Sequence, residues 1–255
     1  MRLVQITDPH LHADPAERSR TGVPFAQLEA VVAAVIAERP DAVVVTGDIS
    51  QDESAASYAA AARLFDTLPC PWYWLAGNHD QRELMAAEHA LVDAVVLGDW
   101  RMLLLDTQVP GAPHGELGER KLTALATQLE EDDRPTLIAM HHPPVAVGAR
   151  WMDAIGLKDR DAFWQSLSAY PQVKTVLFGH AHQAFSGTFT HTPTAGSRAA
   201  AVDVYGCPAA ADQFLPDAQH FAVDIEASPG YRVVALDAAG MDTRVERVTI
   251  ARTDP

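Results

Sequence analysis

Short, mostly apolar runs alternate with longer segments of helical periodicity along the first two thirds of the chain. The runs are rich in Val, Leu, Ile and aromatic residues and are bounded by polar or turn residues; they cover residues 2–7, 42–46, 72–76, 136–140 and 173–178. Runs of this length without a continuous polar face predict strands that are buried on both sides of a sheet. Two further apolar runs around Gly98-Asp99 predict a hairpin over residues 95–105.

The segments between these runs repeat apolar residues with the spacing of a helix. They cover residues 25–38, 55–68, 82–89, 118–131 and 159–170. Pro24 suits the first position of a helix, and Ser54 is a residue type that caps helix starts. Strands that alternate with helices are typical of an α/β fold with parallel strands.

The pattern changes near residue 184, where predicted helices cease. Apolar and β-branched residues then predict strands over residues 185–190, 199–205, 220–226, 231–237 and 243–250. We interpret this region as a meander of strands. The chain is therefore expected to have an α/β part over about residues 1–183 and a β-rich part over about residues 184–255.

Composition and charge restrict the possible partners. Hydrophobic residues make up 48% of the chain and charged residues 21%, as in ordinary globular proteins. A formal net charge of −15 repels polyanions, so nucleic acid is not an expected partner. Because the chain starts directly in a predicted strand and has no apolar run near ~20 residues, we expect a cytoplasmic protein without membrane contact.

Polar residues suited to chemistry follow five of the predicted strands. They are Asp8 and His10, Asp48, Asn78 and His79, His141, and His180 and His182. In an α/β sheet the carboxyl ends of parallel strands meet at one edge, where ligands bind. We therefore expect these side chains to converge.

The expected cluster has a recognisable ligand chemistry. It combines carboxylate and amide oxygens with imidazole nitrogens and contains no sulfur. This set suits Mn, Fe or Zn better than Mg or Ca, which prefer oxygen alone. The seven ligand candidates are Asp8, His10, Asp48, Asn78, His141, His180 and His182. Seven ligands exceed the needs of one tetrahedral ion, but they suit two ions that share a bridging carboxylate.

The motifs and their order resemble those of the calcineurin-like metallophosphoesterases, and in particular the bacterial class III 3′,5′-cyclic-nucleotide phosphodiesterases. The resemblance extends from about residue 2 to 248. It rests on Asp8-x-His10, Gly47-Asp48, Gly77-Asn78-His79-Asp80, His141-His142-Pro143-Pro144, Gly179-His180-x-His182 and the stretches around Leu104-Leu105-Asp106 and His114-Gly115-Glu116-Leu117.

This resemblance implies a role for each motif residue. Asp8, His10 and His182 would hold one metal, Asn78, His141 and His180 the other, and Asp48 would bridge them. The implied catalytic residues are His79, above the substrate phosphate, and Asp80, which would orient His79. The implied substrate-binding residues are Asn78, His79 and His182. The implied metals are Fe and/or Mn, with Zn as another option.

The resemblance also implies a fold and a reaction. The fold is a β-sandwich flanked by helices, with four layers in the order α/β/β/α, which would form a single domain over residues 1–255. The reaction is hydrolysis of 3′,5′-cyclic AMP to 5′-AMP by a hydroxide held between the metals. A homodimer is compatible with this interpretation.

Two other functions stay open. One is a phosphodiesterase or phosphoesterase of the same fold that acts on glycerophosphodiesters or other phosphate esters. The other is a non-catalytic binding module. The related sequences often carry Pro-Ser-Thr where this chain reads Pro208-Ala209-Ala210-Ala211, and this departure leaves the nucleotide preference open.

Overall fold

A computed structural model describes residues 1–190 and 201–250 of the chain. Its strands are β1 (Arg2–Ile6), β2 (Ala42–Thr46), β3 (Trp72–Leu75), β4 (Ala94–Leu97), β5 (Trp100–Leu105), β6 (Thr136–Met140), β7 (Val173–Phe178), β8 (Phe185–Thr190), β9 (Ala201–Gly206), β10 (Gly230–Asp237) and β11 (Gly240–Arg247). Its helices are α1 (Pro24–Glu38), α2 (Ala55–Phe65), α3 (Arg82–Glu88), α4 (Gly118–Glu130), α5 (Arg150–Asp153) and α6 (Arg160–Leu167).

The strands form two sheets. The first has the order β11-β10-β1-β2-β3, and the second has the order β4-β5-β6-β7-β9-β8. Strands β1, β2 and β3 are parallel to one another in the first sheet, whereas β10 is antiparallel to β1. In the second sheet, β5, β6, β7 and β9 are parallel. Each sheet therefore has a parallel centre whose strand ends share one edge.

Apolar side chains from both faces of each sheet are buried, which produces four layers. Along β2, Val43 and Val45 pack against the helices α1 and α2, whereas Val44 packs between the two sheets. Along β6, Ile138 packs on the outer helical side and Leu137 packs between the sheets. This alternation follows from the two-residue period of a strand. The α/β/β/α sandwich predicted from the sequence is confirmed.

The predicted strands and helices before residue 184 agree with the structure to within a few residues. The structure adds one short helix, α5, that periodicity did not predict. Such a helix has too few residues for a hydrophobic period to be recognisable.

The predicted meander after residue 184 is wrong. Strands β8 and β9 extend the second sheet, whereas β10 and β11 extend the first, because strand partners are set by tertiary packing. The predicted strand over 220–226 is a loop with one isolated bridge, between Phe214 and Val223. Residues 199–200 of another predicted strand lie outside the described residues. The single-domain assignment over residues 1–255 stays a prediction.

Among the residues that the structure describes, none of the helices combines the length and the hydropathy needed to cross a membrane.

The carboxyl ends of the parallel strands lie close together. Both sheets present these ends at the same edge, since Asp8 follows β1 and its carboxylate accepts a hydrogen bond at 3.0 Å from the backbone amide of His180, which follows β7.

Candidate metal centre and adjoining cavity

Seven side chains that the sequence singled out lie together where the two sheets meet. The first sheet contributes Asp8 and His10 after β1, Asp48 after β2 and Asn78 after β3. The second sheet contributes His141 after β6, and His180 and His182 after β7. The predicted convergence of strand ends is therefore confirmed.

Left-handed backbone conformation is concentrated in this cluster. The φ angles are +51° at Asp8, +48° at His10, +51° at Asp48, +64° at His180 and +49° at His182. Non-glycine residues rarely adopt this region, because Cβ crowds the backbone at a cost of about 1–2 kcal/mol each. A strained backbone of this kind persists only where the surrounding structure holds it in place. Such residues are concentrated at functional sites.

Two glycines allow the strand ends to approach one another. Gly47 has a φ of +92°, and a Cβ there would lie 2.6 Å from both the Gly77 amide nitrogen and Nδ1 of His141. A Cβ on Gly77 would lie 2.5 Å from the amide nitrogen of Asp48. These separations are too short for real Cβ contacts, so both positions need glycine.

One group of ligand atoms surrounds the imidazole of His10. Its Nε2 lies 3.2 Å from Nε2 of His182 and 4.0 Å from Oδ1 of Asp8. Nε2 of His182 lies 3.3 Å from that same carboxylate oxygen. Two imidazole nitrogens and a carboxylate thus face a common centre.

A second group surrounds the imidazole of His141. Its Nε2 lies 3.1 Å from Oδ1 of Asn78 and 3.2 Å from Nδ1 of His180. This group combines two imidazole nitrogens with an amide oxygen. The second group thus has the neutral amide of Asn78 where the first group has the carboxylate of Asp8.

A single oxygen of Asp48 connects the two groups. Oδ2 of Asp48 lies 3.6 Å from Nε2 of His10 and 3.4 Å from Nε2 of His141. The other oxygen, Oδ1, accepts a hydrogen bond at 2.9 Å from the backbone amide of His79. Asp48 is therefore held in place by the backbone while its second oxygen faces both groups.

Hydrogen bonds to backbone carbonyls define the tautomers of two ligand candidates. Nδ1 of His141 lies 2.8 Å from the carbonyl oxygen of Thr46, and Nδ1 of His182 lies 2.6 Å from that of Asp212. Because a carbonyl only accepts, Nδ1 carries the proton in both rings, and in the neutral rings the lone pair of Nε2 points into the cluster. Metal-ligating histidines in proteins are commonly oriented in this way.

The electrostatics of the cluster indicate a need for positive charge. Burial alone would lower the pKa of His141, but the Asp48 carboxylate outweighs it and raises that pKa to about 9. Burial would raise the pKa of Asp48, yet the surrounding imidazoles, above all His141, hold it well below its usual value. Burial lowers the pKa of His10 to about 4 and that of His180 to about 3. The Asp48 carboxylate is thus stabilised by neighbouring positive charge, and the neutral imidazoles of His10 and His180 add nitrogen acceptors; a set of this kind suits metal cations.

His79 lies at the edge of the first ligand group, with a ring nitrogen within 4.8 Å of ligand atoms of His10 and Asp48. Its ring centroid lies 5.2 Å from that of His10 in an edge-to-face arrangement, and its side chain is partly exposed at the adjoining cavity. The position allows the imidazole to meet a molecule in the cavity.

The buried carboxylate of Asp80 bonds mainly to the backbone of the loops beside the cluster. Within the described parts of the chain, its carboxylate accepts hydrogen bonds from the backbone amides of Ile49, Ser50 and Gly77 and from the Tyr58 hydroxyl. None of these bonds goes to the His79 imidazole, and the orienting role of Asp80 stays a prediction. The carboxylate instead ties together the loops after β2 and β3, because several backbone amides point into the space between those loops.

A cavity of about 610 Å³ opens beside the cluster, a size typical of small-molecule sites. Three cluster imidazoles contribute to its lining, those of His10, His79 and His182. The remaining lining residues come from three loops; they are His12, Arg18, Ser19, Arg20, Gln51, Ala211, Asp212, Phe214 and Phe221.

Comparison with known proteins agrees with this geometry. Residues 1–184 match the calcineurin-like phosphoesterase family. The chain belongs to this family. Members of the family use two metal ions, and the cluster of His and Asp side chains is compatible with such a site.

Curated relatives and solved structures extend the comparison. The chain is 37% identical over 254 residues to the 3′,5′-cyclic adenosine monophosphate phosphodiesterase CpdA of Pseudomonas aeruginosa, covering 96% of this chain and 89% of that protein. It is 36% identical over 258 residues to the CpdA of Vibrio vulnificus, covering 97% of this chain and 90% of that protein. A dimetal phosphatase from Danio rerio has a TM-score of 0.64 at 15% identity, covering 97% of this chain and 99% of that chain, and supports the fold alone.

Sequence reasoning missed several residues around the cavity of this phosphoesterase. Arg20, Asp212 and Phe221 lie in loops without a recognised motif, and only the replacement of hydroxyl residues at 209–211 drew attention to this region. Of the three alanines there, Ala211 lines the cavity, whereas Ala209 and Ala210 are fully buried.

Proposed function

We propose that this protein is a dinuclear-metal phosphodiesterase that hydrolyses 3′,5′-cyclic AMP to 5′-AMP. The observation that carries the proposal is the pair of ligand groups that share Oδ2 of Asp48, directly beside a cavity of suitable size. The relatives named as 3′,5′-cyclic AMP phosphodiesterases, which match nearly the whole chain, support the choice of substrate.

We assign the ligands by these two groups. Asp8, His10 and His182 would hold one metal ion. Asn78, His141 and His180 would hold the other, and Asp48 would contact both ions. The mixture of nitrogen and oxygen donors favours Fe or Mn, with Zn as a further option.

When bound, two such ions supply Lewis acidity: they offset phosphate charge and lower the pKa of water near neutrality. The residues of the chain then orient the substrate and move protons. The His79 imidazole, which lies at the cavity, would donate a proton to the leaving ribose oxygen. Asn78 and His182 would also contact the phosphate.

The proton balance of the reaction requires such a donor. Water contributes an oxygen to phosphorus, the bond between phosphorus and the 3′ oxygen breaks, and that oxygen gains a proton. An unassisted ribose alkoxide is a poor leaving group, so a positioned acid accelerates this step. The short chain of contacts from Asp48 through the His79 backbone would keep the imidazole in place.

The net charge of −15 argues against nucleic acid as substrate. A small phosphodiester is compatible with that charge, because Arg18 and Arg20 line the cavity and change the local potential. We extend the proposal to a cytoplasmic protein, and to a homodimer as an assembly that solution measurements should examine.

A substrate panel tests the proposal. The protein, reconstituted with Mn²⁺ or Fe²⁺, would be incubated with 3′,5′-cyclic AMP, glycerophosphocholine, bis-p-nitrophenyl phosphate and 5′-AMP, and kcat/KM would be compared. We expect the highest value for 3′,5′-cyclic AMP and about two metal equivalents by elemental analysis. A higher value for the glycerophosphodiester would favour the alternative substrate class, and no turnover of any ester would favour a binding module.

A further inference from the structure

The cavity has a second wall whose residues differ in kind from the metal cluster. Phe214 stacks on the imidazole of His182, with ring centroids 3.9 Å apart and planes at 10°. The Phe221 ring follows, 5.3 Å from Phe214 and nearly perpendicular to it. The guanidinium carbon of Arg20 lies 4.9 Å from the centre of the Phe221 ring. We call Arg20, Phe214 and Phe221 the aromatic wall.

Asp212 ties this wall to the cluster. Its buried carboxylate accepts hydrogen bonds from the hydroxyls of Ser19 and Thr21 at 2.7 and 2.5 Å. It also accepts from the backbone amides of Arg20 and Thr21, at 3.1 and 2.9 Å. Its own backbone carbonyl accepts from Nδ1 of His182 at 2.6 Å. One residue therefore fixes the chain on both sides of Arg20 and orients a ligand candidate.

The exposure and charge of the wall are unusual for a purely structural feature. Phe221 is 47% exposed although its ring lines the cavity. Arg18 and Arg20 bring two positive charges to the cavity in a chain whose net charge is −15. Such a wall suits a ligand that has both an aromatic group and a negative charge. The aromatic group can stack on the flat apolar surface, and the neighbouring cation attracts the negative charge.

We propose that the aromatic wall is the subsite that recognises the nucleobase of the substrate. This inference rests on the proposed function, because the phosphate must occupy the cluster for the base to reach the wall. Phe221 and Phe214 would provide the surface against which the base stacks, and Arg20 would hold Phe221 in place while contributing positive charge. The wall thus selects nucleotides over phosphodiesters that lack an aromatic base.

Kinetics with two cyclic diesters test this subsite. One substrate is 3′,5′-cyclic AMP, and the other is trimethylene phosphate, which has the same six-membered phosphate ring without a nucleoside. We expect Phe221→Ala to lower kcat/KM for cyclic AMP by about 10- to 100-fold, the usual effect of a lost stacking partner. Arg20→Ala should lower it by about 2- to 5-fold. Phe221→Ala should keep kcat/KM for trimethylene phosphate within about 2-fold, since no phosphate contact of the cluster and no charge at the cavity is changed.

Two matched variants control for general effects. Leu215→Ala removes an apolar side chain that is 44% exposed in the same loop but does not line the cavity. Arg120→Ala removes an exposed positive charge on α4. Both controls should leave kcat/KM for both diesters unchanged. Equal losses on the two diesters in Phe221→Ala would overturn the proposal.

A binding measurement separates this inference from the proposed function. Calorimetry would compare 5′-AMP with ribose 5-phosphate, which lacks the base. The wild-type protein should bind 5′-AMP more tightly, and Phe221→Ala should reduce this preference by about 10-fold or more. If no cyclic diester is hydrolysed but this preference is found and is lost in Phe221→Ala, the proposed reaction is wrong and the subsite stands. Equal affinity of the wild-type protein for both ligands would overturn the subsite.

Discussion

The metal cluster and the aromatic wall lie side by side but are constructed differently. Cluster side chains such as Asp8 and His141 are fully buried and follow directly from parallel strands of the two sheets. The wall uses exposed or half-buried side chains such as Arg20 and Phe221, which come from loops about 200 residues apart. Groups that need exact mutual positions are thus supported by strand ends, whereas groups that contact a variable part of a substrate are carried by loops.

The contrast extends to how each region is held. Within the cluster, Asp80 and Asp48 accept hydrogen bonds from backbone amides of neighbouring strand-end loops. Gln108 adds a further support, because its side-chain amide donates to the carbonyl oxygens of Gly77 and Asp80 at 2.8 and 2.5 Å. In the wall, Asp212 anchors the loop around Arg20, and the Trp151 ring packs edge-to-face against both Phe214 and Phe221. Substitutions in the two regions should therefore have different consequences.

The largest loss is expected in the cluster, from Asp48→Ala. This substitution removes the carboxylate oxygen that faces both ligand groups, so it should lower kcat/KM for cyclic AMP by more than about 10³-fold and reduce the metal content. Elemental analysis and steady-state kinetics measure both effects. Asp52→Asn, a nearby carboxylate bonded to the Ala13 amide, is the control. Two retained metal ions with near-normal turnover would contradict the bridging role.

A smaller loss with intact metal content is expected for His79→Ala. If the imidazole donates a proton to the leaving oxygen, kcat for cyclic AMP should fall by ~10²–10⁴-fold. The loss should be smaller for bis-p-nitrophenyl phosphate, whose p-nitrophenolate leaves without protonation. His220→Ala, an exposed histidine outside the cavity lining, should have no effect. Equal losses on both substrates would indicate that His79 positions the phosphate instead.

A change in KM rather than kcat is expected for Asp212→Asn. The amide oxygen of Asn can keep the bonds that Oδ1 accepts from Ser19 and Thr21, but its NH2 group then faces the backbone N–H of Arg20, which is also a donor. The loop around Arg20 should therefore lose part of its anchor. We expect KM for cyclic AMP to rise by about 5- to 10-fold, with kcat and metal content nearly unchanged, since the carbonyl that accepts from His182 is kept. A loss of metal with unchanged KM would assign Asp212 to the cluster rather than the wall.

The smallest effect on catalysis is expected for Tyr58→Phe, whose consequence should be on stability. The hydroxyl donates to Asp80 at 3.2 Å and accepts from the Gln81 amide at 2.8 Å. Its removal should lower the free energy of unfolding by about 1–2 kcal/mol, measured by urea denaturation, with kcat/KM within about 2-fold. A large loss of kcat at unchanged stability would mean that the support under the cluster also controls the chemistry.

The predicted site differs from the observed one where a side chain bonds to backbone groups. The sequence indicated that Asp8, Asp48 and His141 converge, because each follows a buried strand and such ends share an edge. It did not reveal that Asp80 bonds to the amides of Ile49 and Ser50, because nothing in the local sequence identifies a partner about 30 residues away. The left-handed conformations at His10 and His182 could not be predicted either, since non-glycine residues adopt them in only a few per cent of cases and no local signal marks these two positions.

By itself, the amino-acid sequence determined the alternation of strands and helices before residue 184 and the side chains that follow the strand ends. Apolar runs such as residues 42–46 require burial on both faces, which predicts a covered sheet, whereas the second sheet as one of the covers was implied by the family resemblance. Tertiary structure alone decided which sheet each late strand joins and how the cavity is walled. The contact between Arg20 and Phe221 connects two loops that carry no regular pattern, and Asp212 brings them together through hydrogen bonds that only the folded chain can form.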